Sequence, residues 1–138
     1  MTRHQPPSRS LKLLLDSDAI FWAAVLPEKL SSAARAAIAS PDNELYASDV
    51  TWWEFVIKEA IGKLSFGTSQ RDFAARQMDA FQLRSLEIRR DHIFAVGELP
   101  RHHDDPFDRL LVAQAIVEGL PIVTSDGKIA RYAVETIW

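Results

Sequence analysis

The chain reads as an α/β protein with a mainly parallel sheet covered by helices on both faces. Three observations predict this. Short apolar runs ending in polar turns recur at residues 11–15, 45–47, 86–88 and 121–124, and such runs suit strands buried on both faces. Helix-length stretches separate them, and strands that alternate with helices argue parallel crossover connections. At 138 residues, 47% hydrophobic and 25% charged, the chain has the size and composition of one globular domain.

Each element has a local reason. Leu11-Lys12-Leu13-Leu14-Leu15 predicts the first strand, ended by Asp16. Residues 18–25 predict a helix capped by Asp18 and stopped by Pro27. Ser31 or Ser32 caps an alanine-rich helix to residue 39, and Ser40-Pro41-Asp42-Asn43 signals a turn. After a second strand at 45–47, Ser48 or Asp49 caps a helix to about residue 62. Gly67-Thr68-Ser69 leads into a helix at about 70–82, followed by a third strand at 86–88 and a short helix at 91–97. Leu99-Pro100 breaks that helix, and 102–105 form a polar loop. The most strongly marked helix spans 105–118, with Asp105 as N-cap, Pro106 in the first turn and Gly119 closing it. Residues 121–124 predict a fourth strand and 135–137 a last one. Residues 1–10, with Pro6-Pro7 and Ser8, read as a flexible tail, and 11–138 as the domain.

Composition excludes several classes. A net charge of −3 is not that of a general nucleic-acid binder, so a nucleic-acid partner needs a local basic patch or a metal. The absence of cysteine removes disulfides, thiolate metal sites and a cysteine nucleophile. No glycine-rich phosphate loop supports an NTPase or dinucleotide enzyme, and no serine sits in a nucleophile elbow. No segment approaches the roughly 20 apolar residues of a membrane-spanning helix, so a cytoplasmic protein without membrane contact is expected.

Four acids sit where structural habit puts something else. Asp16 ends an apolar strand, and Asp126 follows another. Glu54 falls among Val50, Trp53, Ile57, Ile61 and Leu64, which recur at helical spacing. Asp108 opens a helix with almost no polar side. Each has a plain alternative: a turn or cap for Asp16 and Asp126, a stripe-edge residue reaching solvent for Glu54, and a capping box for Asp108. Together they suit chemistry at the carboxyl ends of parallel strands. Buried carboxylates need a proton or a cation. Hard divalent ions take carboxylates, waters and phosphate oxygens, and assist phosphodiester cleavage by lowering the pKa of a water and neutralising phosphate charge.

The run His102-His103-Asp104-Asp105-Pro106-Phe107-Asp108-Arg109-Leu110-Leu111-Val112-Ala113-Gln114-Ala115 closely resembles the third acidic motif of PIN-domain proteins, in particular VapC-type toxins of bacterial toxin–antitoxin pairs. Leu13-Leu14-Leu15-Asp16-Ser17 resembles the first motif. Trp53-Glu54-Phe55-Val56-Ile57-Lys58 with Gly62-Lys63-Leu64 resembles the second, and Glu118 to Asp126 the fourth. The resemblance covers residues 11–138. It implies a PIN-like three-layer α/β/α sandwich and a ribonuclease dependent on Mg²⁺ or Mn²⁺. RNA would be its substrate, a VapB-type antitoxin its partner, and a homodimer its assembly. It assigns catalytic and metal-binding roles to Asp16, Glu54, Asp108 and Asp126, with Asp16 and Asp108 foremost as direct ligands. Ser17, Asp105, Arg109 and Ser125 follow as accessory residues. Asp18 departs from the histidine of many relatives and adds negative charge near the pocket.

The remaining polar and aromatic residues receive plainer readings. His102-His103 reads as a solvent-facing loop rather than a zinc site, since adjacent histidines point different ways. Arg109 is expected to meet a carboxylate or a phosphate. Lys58, Lys63, Lys128 and Arg131 form a basic rim or ordinary surface. Phe21, Trp22, Trp52 and Trp53 read as core or interface, in a groove able to receive an antitoxin segment. The rival readings are a Mg²⁺-dependent phosphatase or DNA nuclease, and a PIN-like binding module that cuts nothing.

Overall fold

A computed structural model describes residues 10–138; the expected tail lies, but for Ser10, outside the described residues. Five strands form one sheet: β1 (Lys12–Leu15), β2 (Glu44–Ser48), β3 (Arg84–Leu86), β4 (Ile122–Val123) and β5 (Thr136–Ile137). The order is β3-β2-β1-β4-β5 and every pairing is parallel. β1 is therefore central. The chain fills one side of it through β2 and β3, then crosses to the other through β4 and β5. The strand order reverses between β1 and β4, and in open parallel sheets the cleft at that reversal is where sites form.

Side chains alternate along β1 and feed two cores. Leu13 and Leu15 join Ala19, Ile20, Leu45, Phe55 and Phe73 on one face. That face is covered by α1 (Ser17–Val25), α2 (Ser32–Ala39), α3 (Asp49–Ala60) and α4 (Gln70–Ala80). Leu14 faces the other way, onto Leu111, Val112 and Ala115 of α6 (Pro106–Glu118) with Ile122 and Ile129. α5 (Arg90–Val96) packs against α6. The result is the expected α/β/α sandwich.

Helix starts follow the capping signals. Ser31 accepts from Ala34 N–H, Ser48 from Val50 N–H and Ser69 from Asp72 N–H. Gly119, at φ 68°, closes α6 in the left-handed conformation. Short 3₁₀ turns at Pro27–Lys29 and Ile129–Arg131 add to the expected elements.

Three expectations are corrected. The third strand lies two residues upstream of 86–88, with Arg84, Ser85 and Leu86 opposite Tyr46, Ala47 and Ser48. As an edge strand it takes its register from β2 and from the Arg84–Glu44 ion pair at 3.3 Å, not from the apolar run. The stripe on α3 faces the core only in part: Val50 is buried and Leu64 packs on the core, but Trp53, Ile57 and the C-cap Ile61 are exposed, while Thr51, Glu54 and Phe55 are buried. α3 packs by the face that carries Glu54. α6 is buried only along Leu111–Ala115, a span of five residues, and Ile116 and Val117 are exposed.

Candidate active site

Asp16 stands directly after β1, with its carboxylate 5% exposed. It is the N-cap of α1, its Oδ1 accepting from Ala19 N–H at 2.8 Å. This corrects the assignment of the cap to Asp18, which is exposed in the first turn. The helix begins at Ser17, one residue earlier than expected, so only Asp16 has the extended backbone a cap requires. Capping engages one oxygen and leaves the carboxyl group inside the cleft.

Glu54 is 4% exposed, so it does not reach solvent from a stripe edge. Its Oε2 accepts from Ser17 Oγ at 3.0 Å and pairs with Lys58 one turn on. Ser17 thus ties α1 to α3. Lys58, expected on a basic rim, is a half-buried counter-ion to Glu54; Lys63, Lys128 and Arg131 are exposed.

Asp105 caps α6, its Oδ1 accepting from Phe107 N–H at 2.8 Å and Asp108 N–H at 3.1 Å. In a capping box Asp108 would accept from Asp105 N–H in return. That N–H donates instead to His103 Nδ1 at 3.1 Å. Asp108 is therefore released from capping and points into the cleft.

Asp126 follows β4. Its Oδ1 accepts from Lys128 N–H at 2.8 Å, and its Oδ2 lies 2.9 Å from His103 Nε2. The same nitrogen is 3.1 Å from Asp108 Oδ2. The His103 ring is only 11% exposed, which corrects its reading as a solvent-facing residue. His102 turns the other way, edge-on to Tyr132 at 4.9 Å. Their backbone N–H groups both donate to Tyr132 Oη, at 3.1 and 2.9 Å, and this buried phenol fixes which ring turns inward.

Two further expectations change. Arg109 meets no carboxylate among the described residues; it donates to Pro100 O, Val96 O and Tyr132 Oη, tying α6 to the end of α5. Ser125 is exposed, and the neighbouring Thr124 faces the site. Thr124 hydrogen bonds to the Asp16 side chain, and its Oγ1 accepts from Asp126 N–H at 3.0 Å. His103 and Thr124 were missed in the sequence. The signal for His103 was its position two residues before a cap, where a ring can reach back to the Asp105 amide. Thr124 gave none beyond ending a strand.

The electrostatics divide the four acids. Burial pushes the Asp16 carboxyl up to about 7, with Asp18 and Glu54 adding to the rise against the bonds from Thr124 and Ala19. Burial pushes Asp108 up to about 8, reinforced by the charges of Asp105, Glu54, Asp126 and Asp16. Asp126 moves the other way. Its partial burial is outweighed by the His103 hydrogen bond and by backbone donors, which hold it below the usual range. Lys58 is held up: Glu54, Asp18 and Asp105 outweigh its burial. Asp108 feels the charges of all three other acids, so the four lie within electrostatic reach of one another. His103, Asp108 and Asp126 place candidate ligand atoms within 4.8 Å of one another.

The PIN domain family model matches residues 13–135. The chain belongs to the PIN domain family. Within it, the chain is 32% identical over 128 residues to Ribonuclease VapC22 of Mycobacterium tuberculosis, covering 87% of this chain and 91% of that one. Its fold is similar to VapBC2 from Rickettsia felis, solved bound to a promoter DNA fragment (TM-score 0.63, 16% identity, 91% and 97% of the two chains). It is also similar to VapBC-1 from nontypeable Haemophilus influenzae (TM-score 0.59, 16% identity, 91% and 96%). These two likenesses establish the PIN architecture. The family assignment rests on the sequence match and agrees with the resemblance of the four motifs.

Proposed function

We propose that this PIN-domain protein is a divalent-metal-dependent endoribonuclease, the toxin of a VapBC-type pair. One observation carries the reading: Asp16 is buried and Asp108 half-buried, both are raised in pKa, and neither pairs with a lysine or arginine, at the edge where the strand order reverses. An all-oxygen pair of this kind fits Mg²⁺ or Mn²⁺. Asp16 and Asp108 would hold the ion directly, with Glu54 and Asp126 beside them. When bound, the ion supplies a Lewis acid that lowers the pKa of a water and neutralises charge on a phosphodiester. Ser17 and Lys58 orient Glu54, Thr124 orients Asp16, and Asp105 adds its charge to the field at Asp108.

RNA as substrate and a VapB-type antitoxin as partner follow from the likeness to Ribonuclease VapC22 and the VapBC complexes. A groove of about 460 Å³ lined by Trp52, Phe55, Val56, Phe66 and Phe73 suits an antitoxin segment. Homodimerisation is part of the same proposal. Among the described residues no helix is long and apolar enough to cross a membrane, in keeping with a cytoplasmic site of action.

The test is to incubate the purified chain with cellular RNA, DNA and a phosphomonoester, with Mn²⁺, Mg²⁺ or chelator, beside Asp108→Asn. Discrete metal-dependent RNA fragments from the wild type alone are expected. Hydrolysis of DNA or the monoester in preference to RNA would replace the ribonuclease reading. Absence of all cleavage would leave a PIN-like binding module.

A further inference from the structure

His103 has the composition of a metal ligand but the hydrogen-bonding polarity of a donor. Its Nε2 sits between Asp126 Oδ2 at 2.9 Å and Asp108 Oδ2 at 3.1 Å. Its other nitrogen, Nδ1, receives the Asp105 backbone N–H at 3.1 Å. A backbone N–H can only donate, so Nδ1 presents its lone pair and the ring hydrogen resides on Nε2. A metal-bound histidine has the reverse arrangement: the ligating nitrogen offers a lone pair, and the other donates to a carboxylate, carbonyl or water.

The ring is also fixed in place. The His102 and His103 amides both donate to Tyr132 Oη. Tyr132 is 5% exposed, and Arg109 Nη1 reaches the same oxygen at 3.3 Å. Turning Nε2 into a lone-pair donor would place a hydrogen on Nδ1, facing the Asp105 N–H. Asp126 Oδ1 is meanwhile held by Lys128 N–H, so the His103 bond on Oδ2 completes the orientation of that carboxylate. Asp108 Oδ2 lies 3.1 Å from the same Nε2, whose hydrogen bond goes to Asp126.

We propose that His103 is a positioning residue of the metal centre, holding Asp126 through Nε2–H beside Asp108 and remaining outside the coordination sphere. Tyr132 supports it by clamping the loop. The inference rests on the metal-centre reading above and concerns a residue that reading does not use.

The experiment loads the full chain with Mn²⁺. Calorimetry measures affinity, and electron spin-echo envelope modulation detects any nitrogen bonded to the ion. Wild type is expected to bind Mn²⁺ with no directly coordinated nitrogen. His103→Ala should weaken binding about 10- to 100-fold, the range for loss of a ligand-orienting partner. His103→Gln, which keeps an N–H donor, should recover most of that loss. A coordinated-nitrogen signal in wild type that vanishes in His103→Ala overturns the proposal by making His103 a ligand. Unchanged affinity in a folded His103→Ala protein overturns it by removing the positioning role. Failure of wild type to bind Mn²⁺ instead overturns the underlying metal-centre reading. Where His103→Ala does not fold, His103→Gln takes its place in the spectroscopic arm.

Discussion

Glu54 and Asp126 enter the cleft with partners, and Asp16 and Asp108 enter it without cations. Glu54 is bonded by Lys58 and Ser17, and Asp126 by His103 and the Lys128 amide. Asp16 receives neutral donors, the Ala19 amide and Thr124, and Asp108 sits amid the charges of Asp105, Glu54, Asp126 and Asp16. All four are acidic side chains on one edge of one sheet. The difference lies in what their neighbours already satisfy. A carboxylate with an internal partner contributes to the folded state by itself. One that is buried without a counter-charge costs free energy when ionised, and that cost falls when a proton or a cation arrives.

The sharpest way to break this comparison is to neutralise one member of each pair. Asp108→Asn should lower RNA cleavage by at least about 10²-fold, as for loss of a group that stabilises transition-state charge. Its melting temperature without metal at pH 8 should match or exceed the wild type's. A large fall in that temperature would show Asp108 to be structural. Glu54→Gln should behave differently: it leaves the Lys58 ammonium without its carboxylate. A loss of about 1–3 kcal/mol in denaturant unfolding of the metal-free protein is expected. Equal stability of the two variants would dissolve the distinction.

The pairs also predict a pH dependence. The Asp16 and Asp108 carboxyls move from 3.8 in the unfolded chain to about 7 and about 8 in the folded one. Between these values the folded state binds more protons than the unfolded state, so stability falls as pH rises. The contribution of these two groups to the stability of the metal-free protein should therefore fall as pH rises from about 4 to about 8, against the opposite and smaller contribution of Asp126. Mn²⁺ at saturating concentration should offset the loss at pH 8 more than at pH 5. Thermal melts across that range check this, and Asp108→Asn should flatten the curve. A smaller effect separates the two tasks of Asp16. Asp16→Ala removes the cap of α1 and should cost about 1 kcal/mol. Asp16→Asn keeps the cap and should not, while both abolish metal-dependent cleavage. The smallest effect lies far from the site. Gln82 adopts φ 51° just after α4, where Leu83 N–H closes onto Met78 O. Gln82→Gly should raise stability by up to about 1 kcal/mol, the left-handed penalty less glycine's extra chain entropy.

Much of this architecture is written locally. The apolar runs at 11–15 and 121–124 became the two strands flanking the cleft, because apolar residues bounded by turns specify buried strands whatever lies elsewhere. Asp105, Pro106 and Gly119 bounded α6 as expected, because capping acts over three or four residues. The positions of Asp16 and Asp126 after strands and of Asp108 in a first turn were legible for the same reason, and the topology allowed all four acids to meet at one edge of the sheet without showing that they do.

Tertiary structure decided the rest, through interactions between residues far apart in the chain. The face of α3 that packs inward followed from α1, since Ser17 binds Glu54 across 37 positions, and not from the apolar stripe of Trp53, Ile57 and Ile61. The register of β3 followed from β2. His103 entered the site because Tyr132, 29 residues later, holds its backbone, and because Asp126, 23 residues later, receives its ring. The sequence by itself determined the order of strands and helices and marked the four carboxylates as candidates. Which of those carboxylates are compensated was set only by packing, because desolvation and hydrogen bonding depend on neighbours that the fold, and not the chain order, brings together.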